Sequence, residues 1–320
     1  MLNNSFKFKF KSDLHQRYWS YLHTFHPDWT CLLDPKHLSE KGPSVFLPRF
    51  ADFNVITNPG AVLHEKVGLL SYIPTNEHHK WFRSMNSSQA LAQSVFGNLA
   101  IHGFLEALSD LLDDDGGVLF GRAKLYPENF CMEYKVKLLG EPRPTSLDGY
   151  FFGEYRVAME CKFTEYEVGY CSHAHLKIGH PTWCDGQYTL KGRIHRCPLP
   201  AYGVKYWQYV PELFEWKNDE DLSPCPLYRN YQLVRNLIAI GVQPDGSVSL
   251  DNGHAVLIYD QRNPAFQEHG KGYQAYQETR SALKNPVMLR KVSWQSITEL
   301  LRRNAILPWL TDELEKKYGL

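Results

Sequence analysis

The chain carries no charge bias: 35 basic residues balance 35 acidic ones, and the formal net charge is zero. A broad basic footprint of the kind that follows a nucleic-acid backbone is therefore absent, and any contact with a polyanion has to be local. No stretch of ~18 apolar residues occurs, so no membrane-spanning helix is expected. Residues Met1 to Lys11 alternate Phe and Lys where a signal peptide would carry an apolar block, and a soluble cytoplasmic protein is expected. Internal repeats and low-complexity segments are also missing, which excludes solenoids and arrays. The seven cysteines are odd in number and include no C-x-x-C pair. That argues against a disulfide framework and removes the spacing that makes zinc or iron–sulfur assignments strong.

What is present is apolar and aromatic. Hydrophobic residues make up 43% of the 320 and aromatics 14%, ample for a large core in one domain or two. The most informative stretch is Tyr155 to Phe163. Tyr155, Val157, Met159, Cys161 and Phe163 alternate with Arg156, Ala158, Glu160 and Lys162, the period of a half-buried strand. Glu160 and Lys162 emerge on one side, about 6–7 Å apart along the strand. The aromatic run Leu147 to Phe152, containing Asp148, favours a preceding antiparallel strand, with a turn at Gly153-Glu154.

Register decides whether Asp148 joins Glu160. A two-residue turn would set Asp148 against Met159 and bury an unpaired carboxylate. A three-residue loop over Gly153 to Tyr155, or a bulge at Gly149, sets Asp148 against Glu160, and this register is expected. Two carboxylates and the Cys161 backbone carbonyl suit Mg²⁺, with Mn²⁺ as a substitute, leaving room for water and phosphate oxygens. Lys162 would stabilise developing negative charge.

At Asp148, Glu160 and Lys162 the chain resembles the PD-(D/E)XK nuclease superfamily, the restriction-endonuclease-like fold. Met159-Glu160-Cys161-Lys162-Phe163-Thr164-Glu165 and the upstream Ser87-Ser88-Gln89-Ala90 are similar to a bacterial restriction-endonuclease group, over residues from about 45 to 300. One departure is that Pro144, not a residue adjacent to Asp148, is the nearest preceding proline. The resemblance implies an α/β fold with an αβββαβ core, a mixed central sheet flanked by helices. It implies a Mg²⁺-dependent deoxyribonuclease, endonuclease rather than exonuclease, acting on DNA in host defence as a homodimer or with partner subunits. A non-catalytic nucleic-acid-binding or scaffolding protein of the same fold is the alternative, and the intact triad argues against it. A carboxylate-pair glycosidase would leave Lys162 without a role, and a thiol hydrolase on Cys161 would need a residue that points to the core.

Two helices complete the implied site. The first is expected from Ser88 to about Leu112, capped by Ser87 or Ser88, with Leu91, Val95, Leu99, Leu105, Leu108 and Leu112 as its apolar stripe. Gln89 is its implied site residue, Glu106 a weaker one, and Ser88 a weak nucleic-acid contact. The second is expected from about Tyr228 to Ile240, with Gln232 near the reacting atoms and Arg235 as a phosphate contact.

Elsewhere, residues 1–85 are expected to wrap the core, 86–304 to form it, and 305–320 to end in a tail helix. A helix is expected over Leu14 to Phe25, and a strand at His254 to Tyr259 before an Asn263-Pro264 turn. A helix at about Lys271 to Leu283, a strand at Val287 to Val292 and a helix at Trp294 to Asn304 follow. The stretch 164–227 reads as an insertion holding Cys171, Cys184, Cys197 and Cys225 near His173, His175, His180 and His195. Buried free thiols are the expectation there, a structural metal the alternative. Lys7, Lys9, Lys11, Lys191, Arg193, Arg302 and Arg303 are candidate DNA contacts, each more simply read as a solvated charge.

Overall fold

A computed structural model describes the backbone of residues 2–320 and the side chains of residues 9–320, so the expectation for Lys7 falls outside the described side chains. Five strands form one sheet in sequence order: β1 (Phe130–Val136), β2 (Thr145–Phe151), β3 (Arg156–Cys161), β4 (Gly253–Tyr259) and β5 (Leu289–Ser293). The first three pair antiparallel and the last three parallel, giving a mixed α/β sheet. The parallel half needs crossovers, and helices supply them on both faces.

One face carries Val157, Met159 and Cys161 of β3 with Val256, Ile258 and Val292, packed against Leu91, Val95 and Leu99, against Trp294 and Ile297, and against Tyr18 and Leu22 of the Leu2–Phe25 helix. The other carries Ala158, Ala255 and Leu257 beneath Leu233, Leu237 and Ile240 of the Tyr231–Gly241 helix. β3 is therefore buried on both faces, and every one of its residues is buried. This corrects the half-buried expectation: the alternation marks two buried layers, the second of which also takes the polar side chains of β3, and not core against solvent. Those polar side chains are satisfied locally. Arg156, for example, donates to the carbonyls of Ile240 and Val242, where the Tyr231–Gly241 helix leaves its last carbonyls unpaired.

The β2–β3 connection has the expected register. Gly149 faces Met159 and Phe151 faces Val157, so the three residues Gly153 to Tyr155 form the loop and Asp148 falls in line with Glu160.

The helix expected to reach Leu112 stops at Ile101. It is α-helical over Ser88–Ala92, π-helical over Gln93–Gly97 and α-helical again over Asn98–Ile101. Gly103 then takes φ +73°, which a side chain resists. Leu105 and Leu108 still reach the core, but from a separate turn at Leu105–Asp110. The second expected helix is split as well, into Pro226–Arg229 and Tyr231–Gly241, because Asn230 leaves helical geometry. The remaining elements, Lys271–Ala282, Leu289–Ser293 and Trp294–Arg303, fall within a few residues of expectation, and the chain ends in a Pro308–Tyr318 helix. Among the described residues no helix is long and apolar enough to cross a membrane.

Candidate active site

A row of three acids crosses the antiparallel half of the sheet. The β1–β2 register, with Met132 opposite Gly149 and Tyr134 opposite Leu147, places Glu133 in line with Asp148, which is in line with Glu160. Glu133 sits in the left-handed region at φ +51°, a strained conformation that interrupts the ladder and redirects its side chain. Its carboxylate is held by Gln89 Nε2 and Ser146 Oγ, each at 2.5 Å.

Asp148 ends the regular ladder. Its Oδ2 accepts the backbone N–H of Cys161 at 2.6 Å, so the carboxylate stands where the next strand-to-strand bond would fall. Burial pushes its carboxyl well above the usual carboxylate range, and the neighbouring Glu160 and Glu133 push it further. Lys162 and the Cys161 N–H oppose that shift without cancelling it.

Lys162 is the counter-charge. Its Nζ donates to Glu160 Oε1 at 2.5 Å and to Gln232 Oε1 at 3.0 Å, while Asn236 Nδ2 donates to Glu160 Oε2 at 2.8 Å. Burial alone would lower the Lys162 pKa, but Glu160, Glu165 and Asp148 outweigh it and the ammonium is held protonated. Glu160 and Lys162 are nearly sealed from solvent, at 3% and 6% exposed, while Asp148, Glu133, Glu165 and Gln232 are half-buried and form the reachable rim.

The segment after β3 is clamped. Trp294 Nε1 donates to the Lys162 carbonyl at 2.9 Å, and Asn263 Nδ2 donates to the carbonyls of Phe163 and Glu165, both at 2.8 Å. Glu165 in turn accepts from Ser88 Oγ and from the Phe163 N–H, both at 2.6 Å. Gln232 lies against Gly169, which has φ +103°; a Cβ there would overlap the Gln232 amide. Only glycine lets the amide reach Lys162.

The fold thus brings Asp148, Glu160, Lys162, Gln232 and Gln89 into one neighbourhood, with Gln89 reaching it through Glu133. Ser88 meets Glu165. Arg235, the expected phosphate contact, is ion-paired with Glu141 at 3.0 Å, donates to Thr145 Oγ1, and lies 4.7 Å from the Tyr231 ring. Glu106 stays on an exposed turn beside Tyr126. Arg193 is held by Asp185 and by the Thr189 carbonyl, and Arg302 by Glu299 and the Leu320 carbonyl.

Three residues of the cluster escaped the sequence reading. Asn236 had a signal, since it is one helical turn from Gln232 and shares its face. Glu165 stands in the stretch that carries the resemblance, but its link to Ser88 joins distant segments. Glu133 had none, because β1 has no motif of its own.

A family model described as restriction endonuclease associating with ARP matches residues 22–319. The chain belongs to this restriction-endonuclease-like family. The match spans nearly all of the sheet and its helices, including both helices of the site. No curated protein and no solved structure matches the chain. Among the described residues no group of three or more His, Cys, Asp or Glu side chains is placed so that it could hold a metal ion. The cation beside Glu160 is the Lys162 ammonium.

Proposed function

We propose that this chain is a metal-dependent nuclease of the PD-(D/E)XK type, with Asp148, Glu160 and Lys162 as its motif residues, hydrolysing phosphodiester bonds in DNA. The observation that carries this reading is the alignment of Asp148 with Glu160 beside a protonated Lys162, within a restriction-endonuclease-like family. The donor set fits Mg²⁺ in its chemistry: it is all oxygen, and of the causes that lift the Asp148 pKa, burial first and then the neighbouring Glu160 and Glu133, a hard cation would relieve the carboxylate crowding. Asp148, Glu160 and the Cys161 carbonyl would hold the ion, with Glu133 as a further acid at the rim. When bound, the ion polarises the phosphate and lowers the pKa of a water.

The chain's own residues do the rest. Lys162, held between Glu160 and Gln232, would present its ammonium to the negative charge that builds on phosphorus. Gln232 keeps the ammonium aimed, and Asn236 fixes the other Glu160 oxygen. Gln89 holds Glu133, and Ser88 holds Glu165, at the edge where a phosphate backbone would lie. An endonuclease acting in the cytoplasm in host defence, as a homodimer or with partner subunits, is the setting this reading favours.

The test is cleavage of plasmid and single-stranded DNA with Mg²⁺, with Mn²⁺ and with EDTA. Metal-dependent cleavage lost in Glu160→Ala and Lys162→Ala, with the fold intact by circular dichroism, supports the reading. DNA binding without cleavage would point to a non-catalytic member of the fold, and full activity in Glu160→Ala would remove the site.

A further inference from the structure

Residues 164–227 contain little regular structure beyond short turns and the Tyr206–Leu213 helix, yet four of the seven cysteines, Cys171, Cys184, Cys197 and Cys225, line one cavity there. The convergence is built into the backbone. The Cys171 N–H donates to the Tyr228 carbonyl at 2.9 Å, the Cys225 N–H to Gly186 at 2.9 Å, and the Cys184 N–H to His173 at 3.4 Å. A further bridge joins Tyr188 to Leu222. Cys171 is thereby tied to the segment that carries Cys225, and Cys225 to the segment that carries Cys184, while Cys197 enters from the following turn. The sequence, with no C-x-x-C pair, left a structural metal here only as the alternative to buried free thiols.

Two further features set this cavity apart from a chance pocket of small apolar side chains. Trp207, stacked on Tyr188 at 3.5 Å, lines it and brings a buried Nε1–H to it. A thiolate is a natural acceptor for that N–H, and Cys197, whose thiolate a side-chain hydrogen bond from Trp207 favours, is the nearby sulfur. The cavity is also small, about 20 Å³, room for little more than one atom and too small for a multi-atom cluster. Burial raises the pKa of Cys171 to about 11 and that of Cys197 to about 12, and the neighbouring thiols add to the rise. Proximity of this kind leaves neutral thiols in place unless a cation gathers them as thiolates.

We propose that Cys171, Cys184, Cys197 and Cys225 form a four-thiolate site for one structural Zn²⁺ ion that staples the insertion beside the Tyr231–Gly241 helix. The four cysteines line the cavity, but as they stand no three of them are placed to hold a metal ion; binding would have to draw the thiolates in to about 2.3 Å. Because metal binding energy becomes folding energy, the ion supplies the order that a loop-rich segment with few backbone bonds lacks. The same segment carries Gly169 against Gln232, so the staple holds one wall of the candidate active site. The site itself is independent of the nuclease reading.

Elemental analysis of the purified full-length chain after dialysis against a weak chelator tests this. About one zinc per chain is expected, lost in Cys197→Ser and Cys225→Ser and kept in Cys31→Ser, whose thiol is exposed and remote from the cavity. Glu160→Ala is expected to keep the zinc, which separates this site from the catalytic metal. Co²⁺ reconstitution should give intense sulfur-to-metal charge-transfer bands in the wild-type protein, a readout that does not depend on any variant folding. Wild-type protein with neither bound zinc nor zinc uptake overturns the proposal, as do iron with inorganic sulfide or disulfides among these four cysteines.

Discussion

Asp148 accepts the Cys161 backbone N–H at 2.6 Å, so a carboxylate takes the hydrogen bond that the next residue pair of the β2–β3 ladder would have made. The sheet opens at this point, and the acid that opens it is held next to two others. Its charged form is disfavoured by burial first and by Glu160 and Glu133 second.

A pH dependence follows from that shift. A carboxyl whose folded pKa is raised binds its proton more tightly when folded, so from about pH 4, the ordinary carboxyl value, up to the raised value, the folded chain holds more protons than the unfolded one. Stability therefore falls as pH rises through that window. Asp148→Asn, which can still accept from Cys161, should flatten this fall and raise Tm at neutral pH, by roughly 2–4 °C for each kcal/mol of repulsion removed. It should also abolish the Mg²⁺-induced rise in Tm expected of the wild-type protein. Thermal melts from pH 4 to 8, with and without Mg²⁺, check both, and an unaltered pH profile in the variant would show that Asp148 is not the group responsible.

The Lys162–Glu160 pair gives a second prediction. Both groups are nearly sealed from water, at 6% and 3% exposed. Lys162→Met alone leaves a buried carboxylate without its counter-charge, at a cost of about 3–5 kcal/mol. The double variant Lys162→Met with Glu160→Gln removes both charges and should recover most of that loss, since Asn236 can still donate to the amide oxygen that replaces the carboxylate. Urea unfolding reads both values through the midpoint at constant slope. Equal midpoints for the single variant and the wild type would contradict the burial of this pair.

Gly169 supplies a third. Gly169→Ala forces a side chain into φ +103° and places its Cβ on Gln232, with a strain of about 1–3 kcal/mol. Cleavage should fall to the level of Gln232→Ala, and combining the two substitutions should add nothing further, because both act by moving one amide off Lys162. Multiplying losses in the double variant would mean that Gly169 serves some other purpose.

Much of the site was readable because its central part is local. Asp148 and Glu160 belong to one hairpin, and a three-residue loop together with the cost of burying an unpaired acid was enough to choose their register. Gln232 was named through the resemblance and not through helical spacing, which shows only that it lies off the apolar stripe of its helix. Arg235's partners were not readable, because helical spacing gives a side chain's direction but not its neighbours, and Glu141 and Thr145 come from another part of the chain.

Alternation of side chains and turn length are properties of neighbouring residues, so the sequence by itself determined a strand within Tyr155 to Phe163, observed as Arg156–Cys161, its pairing with the segment of Asp148, a helix that begins near Ser88 and one that ends near Ile240. Tertiary structure decided what lies across each face. It covered β3 on both sides, brought Glu133 into the row of acids through a strained β1 residue, turned Arg235 toward Glu141, and gathered four distant cysteines round one cavity. Those outcomes depend on contacts between segments far apart in the chain, which local periodicity does not encode.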